Sequence, residues 1–131
     1  MSIRFAVLVL GFASSGAAWA ADSDGDGVAD DVDVCPMDDA TGHDVYVDGC
    51  VDSIDDYAPY LESLGLDADA ETVLVSLADG AALAMSRGHK FLAIVQLHAS
   101  QGIARGLFDD RVITLDQLHA VNTFVRTVVA M

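Results

Sequence analysis

The stretch that decides how this chain is built is Asp22-Ser23-Asp24-Gly25-Asp26-Gly27-Val28-Ala29-Asp30-Asp31-Val32-Asp33, followed directly by Val34-Cys35-Pro36. Carboxylates stand at the alternate positions 22, 24 and 26, a glycine follows at 27, and two more carboxylates lie three residues apart at 30 and 33. Alternate residues can point inward as a chain curls, so this spacing wraps a hard cation in oxygen. Ca²⁺ takes six to eight oxygen ligands in flexible geometry. Gly27 permits the sharp turn that a Cβ would penalise. Val28 needs to offer only its backbone carbonyl, and Asp33 at the closing position adds one or two oxygens. The pattern is close to the calcium loop D-x-[DN]-x-[DN]-G-x₅-E, with Asp33 in place of the final Glu. The competing reading is a solvated acidic linker, which would not require Gly27 and Asp33 to fall where they do.

The residues before the loop are a separate object. Met1 to Arg4 form a short positive segment, Phe5 to Phe12 are apolar, and Ala18-Trp19-Ala20 has the A-x-A form of a cleavage site. Residues 1–20 therefore read as a secretory signal peptide cut after Ala20. An uncleaved anchor is the alternative, but the stretch is short for a span and carries Gly11, Ser14, Ser15 and Gly16. No cysteine follows the cut, so a lipid anchor there is not expected. Cleavage would leave Asp22 almost at the mature N-terminus, with no room for a helix entering the calcium loop. Support for the loop must come from elsewhere.

The chain has 131 residues and a formal net charge of −15. After Arg4 no Lys or Arg occurs until Arg87, and thirteen acidic residues lie between Asp22 and Asp56. Such a polyanion repels nucleic acid and anionic membrane surfaces, and it either binds cations or stays extended. The hydrophobic content of 53% supplies a core and argues against wholesale disorder. Cys35 and Cys50 are the only cysteines, both in the exported part. An even count in an oxidising compartment implies a disulfide, worth about 3 kcal/mol for a short loop. A zinc site is the alternative. It would need two more soft ligands, and only His43 is near in sequence.

Asp-x-Asp-x-Asp-Gly-x-x-Asp-x-x-Asp-x-Cys-Pro, from Asp22 to Pro36, resembles a thrombospondin type 3 repeat. The likeness continues through Gly42-His43-Asp44-Val45-Tyr46-Val47-Asp48-Gly49-Cys50, similar to the closing segment of bacterial copies, which sit in envelope proteins. The resemblance implies Ca²⁺ binding by Asp22, Asp24, Asp26, Asp33 and the Val28 carbonyl, with Asp30 joining them, and a Cys35–Cys50 bridge. Such repeats usually come in tandem, whereas one full copy stands here. Val47-Asp48-Gly49-Cys50 is one residue tighter than the common closure. Asp38, Asp39, Asp44, Asp48 and Asp52 offer a second, weaker cation site, though a solvated acidic face is the preferred reading of them.

From Ser53 the pattern turns helical. Ser53 with Asp56 three residues on is a capping-box-like start. Ile54, Tyr57, Leu61 and Leu64 recur at helical spacing, and Gly65 ends the first helix. A second helix is expected from Asp69 to Arg87, stopped by Gly88, with Leu74, Leu77, Ala81 and Met85 as its stripe. A third is expected from about His89 to Arg105, with Leu92, Leu97 and Ile103 as its stripe and a last turn weakened by Gly102. With Phe91, Ile94 and Val95 added, that helix is apolar nearly all round. This predicts a central bundle helix or, alternatively, a partner-binding or dimer face. Leu107 to Ile113 reads as a connection. Thr114-Leu115-Asp116-Gln117 is a T-x-x-Q capping box opening a fourth helix, with Leu118, Val121, Val125 and Val128 on one face.

Leu61-Glu62-Ser63-Leu64, Arg87-Gly88, Gln96-Leu97-His98-Ala99, and Ile113-Thr114 with Gln117 together resemble the FIMAH-type helical domain, which ends many large secreted bacterial proteins. The likeness spans roughly residues 54 to 129, with Ser100 standing where that family commonly has Phe. It implies an accessory or interaction module.

Catalytic patterns are weak. His43, His89, His98 and His119 form no H-x-x-x-H or H-E-x-x-H pair. His98 and His119 fall on neighbouring expected helices, where solvent-facing imidazoles are the preferred reading. No serine has a G-x-S-x-G context. Asp109 and Asp110, beside Arg105 and Arg111, read as a surface ion cluster. The sequence thus predicts a mainly α protein, in which an acidic, Ca²⁺-binding, disulfide-closed segment (21–52) precedes a small antiparallel four-helix bundle (53–131). The expected function is that of an exported, periplasmic or extracellular, non-enzymatic calcium-binding protein. Its partner would be a protein or envelope component held through the helices, with no nucleic acid and no stable membrane span after cleavage. The alternative is an adaptor whose helical part is the functional unit and whose loop is a spacer.

Overall fold

Capping side chains set where three of the helical elements begin. The computed structural model describes residues 20–131; the signal-peptide reading falls, Ala20 apart, outside them. The Asp56 carboxylate accepts from the Ser53 backbone N–H at 2.7 Å, and the Ser53 hydroxyl oxygen accepts from the Asp55 N–H at 3.2 Å. This box opens a 3₁₀ turn, Ile54–Asp56, that runs into α1, Tyr57–Ser63. Asp67 caps α2, Ala68–Ser86, by accepting from Asp69 N–H. Gly88, at φ +78°, turns the chain back after α2 in a conformation that favours glycine. There α3 begins, Lys90–Asp109. Thr114 and Gln117 form the expected reciprocal box at the start of α4, Leu115–Ala130. The Gln117 amide also donates to the carbonyls of Leu64 and Gly65, at 3.1 and 3.2 Å. One side chain therefore caps α4 and satisfies carbonyls that the end of α1 leaves free.

The fold is the expected one: four helices, no strand among the described residues, and an acidic disulfide-closed segment ahead of them. Several details differ. The first helix is divided into a 3₁₀ turn and α1. The third runs four residues further than expected, through Gly102 and Gly106, so the connection shrinks to Asp110–Thr114. Leu107 and Phe108 are held inside α3 because they pack, half-buried, on the core. That contact outweighs the intrinsic helix cost of two glycines, about 1 kcal/mol each.

The buried stripe of α3 is also not the expected one. Ala93, Leu97, Ser100 and Ala104 face inward, while Leu92 and Ile103 are exposed. The physical reason lies in α2, whose buried face is Ala70, Leu74, Ala78, Ala81 and Ala84. Two helices lined with small side chains approach closely, so the inward register follows the alanines rather than the bulkier residues. Gly80 serves the same closeness, since a Cβ there would lie 2.9 Å from the Gln96 amide nitrogen. α3 is consequently not enclosed, and Phe91, Leu92 and Val95 face solvent.

An aromatic stack joins α1 to α4. Phe124 stacks between Tyr57 and Tyr60, with ring centroids 5.0 and 4.9 Å away. Tyr57 is fully buried, and its hydroxyl lies 2.8 Å from the hydroxyl of buried Ser100. Ser100 donates to the Leu97 carbonyl, so Tyr57 donates to Ser100. Ser100→Ala strands the Tyr57 hydroxyl and should cost about 1–3 kcal/mol, whereas Tyr57→Phe removes only the hydrogen bond and should cost about 1 kcal/mol; urea unfolding of the two variants should reproduce that order.

Burial also pushes the Tyr57 hydroxyl up to about 12, partly offset by its bond to Ser100. Burial and the nearby Asp52 charge raise Tyr60 as well. In the unfolded chain both ionise near 10. The folded state thus holds these protons more tightly, so stability is full below about pH 10 and is lost as pH rises towards about 12. Melts followed by circular dichroism across that window should show the decline.

Candidate metal centre

Residues 22–52 form neither helix nor strand, so their backbone N–H groups must find other acceptors. Aspartates supply many of them. The two Asp22 oxygens accept from Gly25 and Gly27 N–H at 2.8 and 3.1 Å. One Asp24 oxygen accepts from Asp26 N–H at 3.3 Å, and one Asp26 oxygen from Val28 N–H at 2.8 Å. These local bonds curl the loop, and Gly25 and Gly27 adopt φ of +82° and +98° within it. The result gathers Asp22, Asp24 and Asp26 so that one carboxylate oxygen from each lies within 4.8 Å of the others, a group that could hold a metal ion.

What distinguishes the site from an ordinary acidic loop is what is left unpaired. The second oxygens of Asp24, Asp26 and Asp33 are buried and have no hydrogen-bond partner. Unpaired buried carboxylate oxygens are costly. Asp33 is buried, and its other oxygen accepts from Cys35 N–H at 2.7 Å. The Asp24 carboxyl is held above its usual value by desolvation and by the charges of Asp26, Asp33 and Asp22, against an opposing bond from Asp26 N–H. The site therefore combines a convergent all-oxygen donor set, mutual repulsion and oxygens without protons to accept. A hard divalent cation relieves all of these at once.

The remaining acidic residues do other work. Both Asp30 oxygens are engaged by Ser23, through its N–H and its hydroxyl, each at 2.7 Å. The Val28 amide bonds to Asp26 as described. Asp44 accepts from the N–H groups of Val47, Asp48 and Gly49, and Asp48 from that of Cys50. Buried Asp52 accepts from Val45 and Tyr46 N–H. Desolvation raises its ionisation above the usual carboxylate value, opposed by those two bonds. Asp39 accepts from Thr41 N–H, and its hydrogen bonding with Thr41 lowers its ionisation. Asp39, Asp44, Asp48 and Asp52 thus hold turns together. The sequence held a signal for the local ones, in Asp residues two or three positions ahead of the amide they bind. It held none for Asp52, whose partners lie six and seven residues upstream.

Cys35 and Cys50 are bonded to each other and no free cysteine remains, which removes the zinc alternative. The bridge brings Gly49 against Asp33, where a Cβ would stand 1.9 Å from an Asp33 carboxylate oxygen. Gly49 is also at φ +83°. Asp33 is thereby seated by both sides of the disulfide. Within the closing turn Val47, a β-branched residue, stands at φ +61°, where backbone strain costs about 1–3 kcal/mol. Elsewhere, His98 bonds to Gln101 on its own helix, His119 is exposed, and Arg105 forms an exposed pair with Asp109 at 3.6 Å. Such a surface pair contributes little.

No protein-family model, curated protein or solved structure matches the chain. Among the described residues no helix is long and apolar enough to cross a membrane.

Opposite effects are expected at the two strained positions. Gly49→Ala displaces Asp33 and should lower stability by at least about 1–3 kcal/mol, while Val47→Asn relieves the left-handed backbone at an exposed site and should raise it by about 1 kcal/mol. Thermal melts of the two variants beside the parent check both signs.

Proposed function

We propose that this is an exported, non-enzymatic calcium-binding protein in which Ca²⁺ stiffens the N-terminal segment and the helical part serves for interaction. One observation carries the reading: Asp22, Asp24 and Asp26 converge, with buried, partnerless oxygens on Asp24 and Asp26; Asp33, outside that group of three, carries a third such oxygen. The residues fit the ion. An all-oxygen donor set suits hard cations, and a glycine-bearing loop suits the flexible coordination of Ca²⁺ better than the rigid octahedron of Mg²⁺. Asp22, Asp24, Asp26, Asp33 and the Val28 carbonyl would hold the ion, with Asp30 fixing or joining the loop. The resemblance of Asp22–Cys50 to a thrombospondin type 3 repeat supports the same set.

Export is supported by the disulfide and by the leader pattern of residues 1–20. A structural role for the ion is supported by the described residues, among which no helix pair flanks the loop to open or close on binding. A second reading makes the helices an adaptor for a protein or envelope partner. It is favoured by the exposed apolar residues Phe91, Leu92 and Val95 on α3 and by the FIMAH-like motifs.

Calorimetric titration of the purified protein with Ca²⁺ should give a Kd of about 10⁻⁴–10⁻³ M, in the range of extracellular modules. Saturating Ca²⁺ at a hundred times Kd should stabilise by about 2.7 kcal/mol over the chelated protein. Asp26→Asn should weaken binding at least about tenfold, while Asp39→Asn leaves it unchanged. Absence of heat at millimolar Ca²⁺, with identical melts in chelator, would sink the proposal.

A further inference from the structure

Where the 3₁₀ turn, the end of α2, the start of α3 and the end of α4 converge, the bundle leaves a cavity of about 300 Å³. Its walls are aliphatic: Ile54, Met85, Ile94, Leu97, Val128 and Val129. That volume lies at the lower end of the range of small-ligand sites, about 300–1,000 Å³, and such sites are mostly apolar with a few placed polar groups. The placed group here is Lys90, the only lysine of the chain and the only cationic side chain lining the cavity. It has no ion pair among the described residues, where the single salt bridge is Arg105–Asp109. Asp52 also borders the cavity, but it is 2% exposed and its two oxygens are engaged by the amides of Val45 and Tyr46.

An unpaired cation at the edge of an apolar pocket selects a particular chemistry. We propose that this cavity binds a single-chain aliphatic carboxylate of medium length, with the alkyl chain among Ile94, Leu97 and Val128 and the carboxylate at Lys90. The alkyl part loses contact with water along its length, and the charged head gains a charge-assisted bond that a neutral head cannot make. The space suits one chain rather than the paired chains of a bilayer lipid. Asp52 and Ser53 apart, its lining residues belong to the helical part and to Met131, and none belongs to the Asp22–Asp33 loop.

The test is calorimetry of the purified protein with hexanoate, octanoate and decanoate below their micellar concentrations, with decanol and anionic phospholipid vesicles as comparisons. Affinity should rise about fourfold per added methylene, and decanoate should bind about tenfold more tightly than decanol. Lys90→Gln, at an exposed position, should abolish the preference for decanoate over decanol. Ile94→Trp should fill the cavity and remove decanoate binding with the helical circular dichroism retained. Absence of a chain-length dependence, equal binding of decanoate and decanol, no change in Lys90→Gln, or binding to vesicles without binding to decanoate would each overturn the assignment.

Discussion

A backbone without helix or sheet must still satisfy its amides, and between Asp22 and Asp52 aspartate side chains do so. Carboxylates are good acceptors for this purpose, because each carries about four lone-pair sites and a full charge. The same choice concentrates negative charge in a small volume with no lysine or arginine to balance it. Curling the loop and crowding its charges are therefore one event. Bonds from Gly25, Gly27, Asp26 and Val28 amides to Asp22, Asp24 and Asp26 shape the loop, and they leave the second oxygens of Asp24 and Asp26 buried without a protein donor, as the Cys35 amide leaves that of Asp33. The disulfide and Gly49 then fix Asp33 against relaxation.

The bundle follows a different economy of contacts. Its long helices meet through alanines, and its bulk is concentrated in the Tyr57–Phe124–Tyr60 stack. Small-residue contact leaves larger side chains on the outer face of α3, and the cavity lies where α2, α3 and α4 meet the 3₁₀ turn.

Much of this was legible in the residues. Ser53–Asp56 and Thr114–Gln117 announce their helices because capping is local chemistry written three residues apart. Asp22–Asp33 announces its loop because alternate carboxylates and a glycine have few other uses. The inward face of α3 was not legible, since a stripe of Leu92, Leu97 and Ile103 is as periodic as Ala93, Leu97, Ser100 and Ala104. Only the alanine face of α2, brought close in space, decides between them. Tyr57 and Ser100 are 43 positions apart, and neither residue alone signals a buried hydroxyl pair. The tenancy of Asp52 by upstream amides was hidden for the same reason.

Tyr46 meets Tyr60 edge to face, with ring centroids 6.0 Å apart, and Val45 and Tyr46 pack on the helical core. Both amides are held by Asp52, one residue before the cap of the first helical turn. The sequence boundary at Ser53 is thus a change of backbone style within continuous packing, not a seam. Cutting there would uncover the Tyr60 edge and release the segment that covers it. The closing half of the acidic segment is thus tied to the helices by an aromatic edge, two apolar contacts and the Asp52 hydrogen bonds.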